Sequence, residues 1–515
     1  MNLFQSVQTS RPKSNAFDLS HEVKLSCNMG ELIPIFLEEI VPGDKFRVSS
    51  EIFLRTVPLL APIMHRVNVY CHYYFVPNRL VWENWENFIT GGESGLDASV
   101  MPKLGITEAL KTQFNEGSLA EYLGIPVPSV VVTGTHSISA LPFRAYQLIY
   151  NDYYRDQNLE AKIDIKKTDT VLAAEQVALT TLRLRAYEKD YFTSCLPWAQ
   201  RGAPVTLPVS TTPQYKQYST VTTGAAQQFD ANSNITTKGG TTNMQALRSA
   251  VKEDLRIENL EPVQTGTSVT INELRVAVRL QEWLEKNARA GARYIESILA
   301  HFGVRSSDAR LQRPEYLGGG KQALQISEVL NTGGDSSENI PQGSMAGHGI
   351  SVGKSNQFTK SFEEHGYVIG IMSVVPRTAY QQGIPKTFNR FNKVDYFFPE
   401  FAHLGEQAVL NKELYNDYNT VTNYNSSTFG YQSRYAEYKY QQSRVAGEFA
   451  TTLNYWHLGR KFASQPALNN TFIKANPSDM QRIFPVADPT DKLLVQVFHD
   501  SKAIRPMPVF GTPTL

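Results

Sequence analysis

The segment VNVYCHYYF, from Val67 to Phe75, places an apolar side chain at every second position. Alternation with a period of two, built from β-branched and aromatic residues, predicts a β-strand with one face in a protein core. Further candidate strands, alternating or continuously apolar, are Val23 to Cys27, Phe46 to Ser50, Tyr367 to Val375 and Leu493 to Phe498. Long intervals separate these runs, so hairpin turns alone cannot connect them. The chain is therefore predicted to be mainly β, with large insertions between strands.

Four segments between the candidate strands have helical character. They are Val81 to Ile89, Leu141 to Asp156, Val171 to Asp190 and Asn272 to Phe302. In the last of these, apolar residues recur every three or four positions and so share one face, which consists of Leu280, Trp283, Leu284, Ala288, Gly291, Ile295, Ile298 and Phe302. Asn272 suits an N-cap and Gly303 a C-terminal stop. One continuous helix is predicted here, followed by a loop from Val304 to Gly320.

Composition limits the possible functions. Of the 515 residues, 41% are apolar and 19% are charged, and 50 Lys and Arg oppose 49 Asp and Glu, which leaves a net charge of +1. A protein that coats nucleic acid through bulk electrostatics is strongly basic, so that class is excluded. The low charge content favours a surface that neighbouring subunits cover. Because no apolar run reaches the roughly 18 residues needed to span a bilayer, no membrane insertion is predicted.

No motif in the sequence requires an enzyme, a cofactor or a metal ion. Cys27, Cys71 and Cys195 lie far apart without ligand spacing and are predicted to be buried reduced thiols. Gly349 to Gly353 matches the GxSxG pattern of hydrolases around Ser351. That motif needs a strand before it and a helix after it, whereas Gly- and Ser-rich sequence without a helical period surrounds this one. Ser351 is therefore not predicted to be catalytic, and the protein is not predicted to be an enzyme.

Seven segments carry a family resemblance. They are RTVPLLAPIMHRVNVYCHYYFVPNRLVWENWENFI (Arg55 to Ile89), LPFRAYQLIYNDYYRDQNL (Leu141 to Leu159), DYFTSCLPWAQRG (Asp190 to Gly202), VRSSDARLQRPEYLGGG (Val304 to Gly320), PQGSMAGHGIS (Pro341 to Ser351), FGYQSRYAEYKY (Phe429 to Tyr440) and RPMPVFGTP (Arg505 to Pro513). In this order they resemble the major capsid proteins of microviruses, small phages with single-stranded DNA, and the gokushovirus branch in particular. The resemblance covers most of the chain.

The resemblance implies a fold, a function and partners. The fold would be mainly β, an eight-stranded viral jelly roll with long helix-containing insertion loops. Sixty copies would form a T=1 icosahedral shell around circular single-stranded DNA. Implied partners are copies of the chain itself, the DNA genome, a small basic DNA-binding protein, other virion or scaffolding proteins and a host cell-surface receptor. The protein would be part of the virion, after synthesis and assembly in the cytoplasm of a bacterial host.

The predicted organisation has four parts: an extended N-terminal arm (1–20), a single jelly-roll domain (21–205 and 241–502), a polar insertion (206–240) and an extended C-terminal arm (503–515). The insertion is rich in Thr, Ser, Gln, Asn and Gly and has few large aliphatic residues. The resemblance implies that it forms a surface protrusion at the threefold axis. Host contact is predicted for Thr211, Gln214, Tyr215, Tyr218, Thr222, Phe229, Asn232 and Asn234. A mobile surface loop without a role is the alternative.

Subunit and DNA contacts are predicted from arginines, tyrosines and the proline-rich tail. Subunit contacts are predicted for Arg305, Arg310, Arg313, Tyr435, Tyr438, Met507, Val509 and Phe510. DNA contacts are predicted for Arg289, Arg293, Arg434 and Lys439. The alternative for Arg289 and Arg293 is a solvated helix face with salt bridges between residues four apart. The alternative for the tyrosines is stacking on unpaired bases.

A second hypothesis keeps the β architecture but not the shell. In it, the chain is a monomeric or small-oligomer protein that binds glycans or surfaces through its polar insertion. The state of association separates the two hypotheses.

Overall fold

The computed structural model describes residues 14–203, 205, 271–291, 293–332, 343–419, 423–486 and 489–510, together with six short strands between 214 and 263. The chain divides into two compact units. One consists of Met1–Ala199 and Ala288–Leu515, and the other of Gln200–Asn287.

The strands are β1 (Asn15–Asp18), β2 (His21–Cys27), β3 (Ile33–Ile40), β4 (Lys45–Thr56), β5 (Val67–Pro77), β6 (Lys103–Ile106), β7 (His136–Ser139), β8 (Gln214–Lys216), β9 (Tyr218–Val221), β10 (Ala225–Phe229), β11 (Ile235–Thr237), β12 (Gly240–Thr242), β13 (Glu261–Val263), β14 (Glu315–Ala323), β15 (Gln325–Leu330), β16 (Met345–Ser361), β17 (Gly366–Pro376), β18 (Gln407–Leu410), β19 (Thr428–Gln432) and β20 (Leu493–Arg505).

The α-helices are α1 (Asn78–Val81), α2 (Trp85–Thr90), α3 (Leu119–Tyr122), α4 (Leu141–Ile149), α5 (Ala173–Thr180), α6 (Ile271–Ala290), α7 (Tyr294–Phe302), α8 (Asn411–Leu414), α9 (Ala436–Lys439), α10 (Asn470–Ile473) and α11 (Pro477–Met480). A π-helical turn, Tyr150–Tyr154, extends α4. Short 3-10 turns cover Glu108–Phe114, Lys386–Asn389, Lys393–Asp395, Pro399–Phe401, Gly447–Ala450, Asn454–Trp456 and Gln481–Ile483.

Two antiparallel sheets form the centre of the larger unit. One has the strand order β1-β20-β4-β16-β15, with β2 also paired to β20, and the other has the order β14-β5-β17-β3. The pairings join distant parts of the chain, as in Cys27 opposite Leu493 and Val368 opposite Phe75. In the smaller unit, β9 to β12 form one sheet and β8 pairs with β13. The predicted mainly β class is confirmed, and each predicted strand lies in one of the two large sheets.

The main core lies between the two large sheets. Val48, Ile52 and Leu54 on β4 and Val69 and Tyr73 on β5 belong to one buried cluster. Inward-facing side chains of two stacked sheets fill a layer of this kind. The sheets therefore pack face to face.

Strand β5 is buried on both faces, which its alternating pattern did not predict. Tyr74 and Val76 point away from the main core into a second buried cluster. Phe143, Tyr146 and Ile149 of α4 form part of that cluster. Helical insertions thus cover the outer face of the β14-β5-β17-β3 sheet.

The three cysteines are free and buried, which confirms their prediction as thiols. Burial raises the pKa of the Cys71 thiol to about 12 because the apolar surroundings disfavour the thiolate.

The prediction of one continuous helix from Asn272 to Phe302 is wrong. Helix α6 ends at Ala290 and α7 begins at Tyr294. Gly291 has a φ of +108°, and a Cβ on it would collide with the carboxylate of Glu296, so the bend requires glycine. The Arg293 side chain then donates to the backbone oxygen of Asn151 (2.9 Å). The apolar residues keep their helical spacing on both sides of the break. Such spacing indicates which side chains share a face, but it does not show that the helix is continuous.

The helix predicted from Val81 to Ile89 is interrupted, because the extended backbone of Trp82 separates α1 from α2. Two further predictions were wrong in extent. The helix predicted from Val171 to Asp190 is confined to α5, because beyond it Leu184 forms a β-bridge with Glu31 and Ala186 one with Lys474. The loop predicted from Val304 to Gly320 ends in β14, which pairs with β5 along its length. In both places, pairing with a distant strand or segment overrides the local preference.

Candidate assembly surface

An exposed group of aromatic rings lies between β17 and β18. This aromatic surface consists of Phe388, Phe391, Tyr396, Phe397 and Phe398, whose side chains are between 48% and 78% exposed. Val394 and Leu404 in the same segment are exposed as well. Soluble monomers rarely leave contiguous apolar patches of more than a few hundred Å² in water. The surface is therefore suited to being covered by another molecule.

The backbone that carries these rings consists of short turns and forms no long helix or strand. The turns are Lys386–Asn389, Lys393–Asp395 and Pro399–Phe401. The carboxylate of Asp395 accepts hydrogen bonds from the amides of Asn392 (2.8 Å) and Phe391 (3.0 Å). Burial alone would raise the pKa of Asp395, but these donors outweigh it, and the pKa lies below its usual value. The charged carboxylate therefore stabilises the turn after Phe391.

The predicted interface residues Tyr435 and Tyr438 lie beside this loop, but only one faces outward. Tyr435 is 3% exposed, and its hydroxyl donates to the backbone oxygen of Tyr396 (2.9 Å). Its ring packs edge-on against Phe397. Tyr438 is 50% exposed, and the guanidinium of Arg390 lies 4.1 Å from its ring centroid. Tyr435 is buried beneath the loop that carries the aromatic surface and stabilises it. Of the two tyrosines, Tyr438 is therefore the one exposed enough to contact a neighbour.

The sequence reasoning missed the aromatic surface because its rings follow neither a helical nor a strand period. Four phenylalanines and a tyrosine fall between Pro385 and Phe398 in an otherwise polar segment. This density of aromatic residues beside two prolines was the available signal.

Comparison with known proteins identifies the family. Residues 5–515 match the family described as Capsid protein (F protein). The chain belongs to this phage capsid protein family. Similar proteins include the capsid protein VP1 of Chlamydia phage 1, which is 35% identical over 590 residues and covers 100% of this chain and 98% of the relative. The VP1 of Bdellovibrio phage phiMH2K is 37% identical, with coverage of 99% and 96%, and that of Spiroplasma virus 4 is 30% identical, with coverage of 96% and 94%.

The match confirms the predicted resemblance to microvirus capsid proteins, and with it the prediction of a structural virion protein that is not an enzyme. Ser351 of this capsid protein is buried in β16. Its hydroxyl donates to the backbone oxygen of Ala323 (2.9 Å) and accepts from the side-chain amide of Gln322 (2.9 Å). The serine is therefore part of the sheet packing.

The four predicted DNA-contact residues differ in what they bind within the capsid protein. Arg289 pairs with the carboxylate of Glu406 and donates to Gln432 Oε1 (2.8 Å). Arg293 is held by Glu296 (3.0 Å) and two backbone oxygens. The alternative for Arg289, a salt bridge with a residue four positions away, is not what the structure describes. Its carboxylate partner is Glu406, which comes from a distant loop.

Arg434 and Lys439 lie at the edge of the aromatic surface. Arg434 donates to the backbone oxygen of Val394 (3.1 Å), and Lys439 donates to that of Arg434 (3.0 Å). Neither makes an ion pair with a carboxylate among the residues that the structure describes. Their positive charge is thus less neutralised than that of Arg289 or Arg293.

The three arginines after α7 that are predicted to make subunit contacts differ in their surroundings. Arg313 pairs with Asp308 (3.3 Å) and lies over the ring of Tyr153. Arg305 and Arg310 are exposed. Glu315, the next carboxylate along the chain after Asp308, pairs with Lys360 (2.8 Å).

The predicted host-contact residues lie in the smaller unit. Gln214, Tyr215, Tyr218 and Phe229 fall on short strands. Thr211, Thr222, Asn232 and Asn234 lie outside the described residues. The unit runs from Gln200 to Asn287, and is thus longer than the predicted insertion 206–240.

Within the described ranges, no group of three His, Cys, Asp or Glu side chains is arranged to hold a metal ion. None of the helices in those ranges combines the length and the apolar content needed to cross a bilayer.

The C-terminal tail leaves the sheet after Arg505. The guanidinium of Arg505 lies 3.4 Å from the buried carboxylate of Asp44. The side-chain amide of Asn15 donates to the backbone oxygen of Met507 (2.8 Å). Beyond these contacts, Val509 and Phe510 are 57% and 80% exposed. The described part of the chain thus leaves these two apolar side chains of the tail uncovered.

Deleting the residues after Met507 is expected to weaken particle assembly at least threefold while leaving the monomer folded. The deletion removes the exposed Val509 and Phe510 but keeps the contacts of Arg505 and Met507. Sedimentation measures the particle yield and so checks the effect on assembly. The urea midpoint of the monomer checks that its folding is unchanged. A longer deletion after Ile504 serves as a control, because losing Arg505 leaves the buried Asp44 unpaired and lowers the urea midpoint. An unchanged particle yield for the shorter deletion would contradict the prediction.

Proposed function

We propose that this chain is the major capsid protein of a microvirus, sixty copies of which form a closed T=1 shell around circular single-stranded DNA. The observation that carries the proposal is the aromatic surface, which a chain working alone would leave in water. Burial of apolar area drives most protein association. Many modest contacts between identical subunits become stable together once symmetry closes a shell.

The fold we propose for this shell subunit is an eight-stranded jelly roll. Support comes from the strand orders β2-β20-β4-β16 and β14-β5-β17-β3. In each sheet, strands from the first 77 residues alternate with strands that begin at Glu315 or later. Two four-stranded antiparallel sheets linked in this way form the double Greek key of a jelly roll. Under this proposal, β1 and β15 are additions at the edges of one sheet, and the helices and the smaller unit are insertions.

The balance of charge bears on how the genome would be held. With a net charge of +1, the shell cannot neutralise DNA phosphates by its overall charge. We therefore retain a small basic DNA-binding protein as a proposed partner. Of the proposed DNA contacts, Arg434 and Lys439 are better supported than Arg289 and Arg293, whose carboxylate partners already neutralise them.

Three further parts of the proposal rest on the family and on composition. The polar insertion 206–240 would form the threefold protrusion that contacts a host receptor. Scaffolding proteins would assist assembly in the cytoplasm of a bacterial host. The C-terminal arm beyond Arg505 would lie along a neighbouring subunit, whereas Asn15–Asp18 of the N-terminal arm pair with β20 of the same chain.

Sedimentation of the full-length chain with circular single-stranded DNA tests the proposal. The wild-type chain is expected to form particles that sediment far faster than a 57.8 kDa monomer. Replacing Phe391 and Phe398 with serine should lower particle yield at least tenfold without changing the circular dichroism spectrum. The matched control is Leu96→Ser, which removes an exposed apolar side chain outside the aromatic surface. A wild-type chain that stays monomeric under all assembly conditions would instead favour the glycan-binding hypothesis.

A further inference from the structure

The aromatic surface matches the size that one partner contributes to a stable interface. At about 200 Å² for a fully exposed ring, exposures of 48% to 78% leave roughly 600 Å² of aromatic area in water. A standard interface takes about 800 Å² from each partner. The five rings alone therefore supply most of one side, and Val394, Leu404 and Tyr438 add to it.

The charge of this segment does not suit a polyanion. Lys386 pairs with Glu413, and Arg390 with Glu437. The charged side chains left exposed between Pro385 and Leu404 are Lys393 and Glu400, which cancel. Arg434 and Lys439, which are proposed to contact DNA, lie at the edge of the aromatic surface and not among its five rings. Because a nucleic acid is held mainly by unpaired cations, the occupant of the rings themselves is better sought among apolar protein surfaces.

Other exposed apolar residues in the described chain are fewer or do not share one face. Those of α7 and the loop after it are Tyr294, Leu299, Phe302 and Val304, and those of the tail are Val509 and Phe510, so each set is smaller than the five rings. A longer run lies on α6, and it does not offer a matching face. Its exposed side chains are Ile271, Leu274, Val276, Val278, Leu280 and Trp283. At 100° per residue, Ile271, Leu274 and Val278 lie on one side of the helix and the remaining three on the opposite side. Neither side presents more than three residues, and only one of the six is aromatic.

We propose that the aromatic surface packs against the same surface of a second copy of this chain, across a twofold axis of the assembly. This inference rests on the proposed capsid function and specifies one of its contacts. A twofold contact brings the same patch of two copies together, and a neutral surface rich in aromatic rings carries no net charge that would repel its own copy. Edge-to-face and offset-stacked contacts between such rings favour the pairing beyond the area that they bury.

Single-cysteine crosslinking tests this inference. The three natural cysteines are each at most 4% exposed, so they do not compete for a crosslinker. Phe391→Cys, Phe397→Cys and Phe398→Cys, introduced separately, sample three points of the surface. A short bismaleimide is expected to convert at least one variant, in assembled particles, into covalent dimers at more than ten times the control level. The control is Leu96→Cys, which is exposed outside the surface.

Crosslinking through one type of cysteine requires the surface to lie near its own copy, which excludes a head-to-tail contact far from a symmetry axis. Because each cysteine reacts only once, a twofold contact allows every chain to enter a dimer, whereas an odd-membered ring around a threefold or fivefold axis always leaves one chain uncrosslinked. If wild-type particles form and none of the three variants gives dimers above the Leu96→Cys level, the twofold pairing is overturned while the capsid function stands. If the wild-type chain forms no particles, the capsid proposal itself fails. A variant that no longer assembles alone is mixed with wild type in equal amounts. Because wild type carries no exposed cysteine, a twofold contact then gives dimers in proportion to the square of the variant's fraction in the particles, and their absence from such particles would also overturn the pairing.

Discussion

Replacing Gly30 with alanine is expected to prevent the chain from reaching its folded state. Gly30 has a φ of +90°, and a Cβ built on it would lie 1.9 Å from the backbone oxygen of Ala475. The backbone cannot easily move aside, because the amide of Gly30 donates to the Val374 oxygen (2.8 Å) and its carbonyl oxygen accepts from the Arg185 amide (2.7 Å). A clash with fixed backbone belongs to the substitutions that cost more than about 4 kcal/mol.

Gly124→Ala is the matched control for this substitution. Gly124 has a similar φ of +98°, but no atom lies within 4 Å of its built Cβ. Only the strain of the left-handed conformation remains, which costs about 1 to 2 kcal/mol. Soluble yield and urea unfolding followed by fluorescence measure both variants. Equal urea midpoints for the two would show that the contact with Ala475 relaxes without cost.

Replacing Arg144 with methionine is expected to lower the free energy of unfolding by about 3 to 5 kcal/mol, the usual cost of removing one partner of a buried ion pair. Arg144 is fully buried in α4, and its guanidinium lies 3.4 Å from the carboxylate of Glu175. It also donates to the backbone oxygens of Thr168 (3.0 Å) and Val81 (3.3 Å). Methionine fills similar volume but leaves the Glu175 carboxylate and two carbonyl oxygens without their donor.

Two further variants separate the charge effect from packing. In the double variant Arg144→Met with Glu175→Gln, the uncompensated charge is gone, and part of the lost stability should return. Arg79→Met is the surface control, because Arg79 pairs with Glu364 where both side chains are about a third exposed, and such pairs contribute at most about 1 kcal/mol. Urea midpoints of the four proteins give the comparison. A loss at Arg144 no larger than that at Arg79 would contradict a stabilising role for the buried pair.

Many of the strands could be predicted from the sequence, because a half-buried strand has a recognisable pattern of apolar residues along the chain. The alternation at Val67 to Phe75 marks β5, and the apolar run from Tyr367 to Val375 marks β17. The family resemblance came from segments long enough to be specific, and the surroundings of Ser351 were enough to reject a hydrolase motif. Each of these inferences uses neighbours in the chain.

The site was less accessible, because exposure depends on what the rest of the chain covers. Tyr435 and Tyr438 look equivalent in sequence, yet Tyr435 is buried under the loop that contains Tyr396, and Tyr438 is half exposed. Arg289 looked like a helix-surface residue, but its partner Glu406 comes from a distant loop. The aromatic surface itself follows no period, so no local pattern marked it.

The amino-acid sequence by itself determined the β class, the family and the buried thiols, since these follow from short-range periodicity and from long matched segments. Only the tertiary structure decided where the long helix breaks, which distant strands pair and which aromatic rings remain in water. The physical reason is that a local pattern records which side chains share a face, whereas the partner of that face comes from elsewhere in the chain, or from another copy of it.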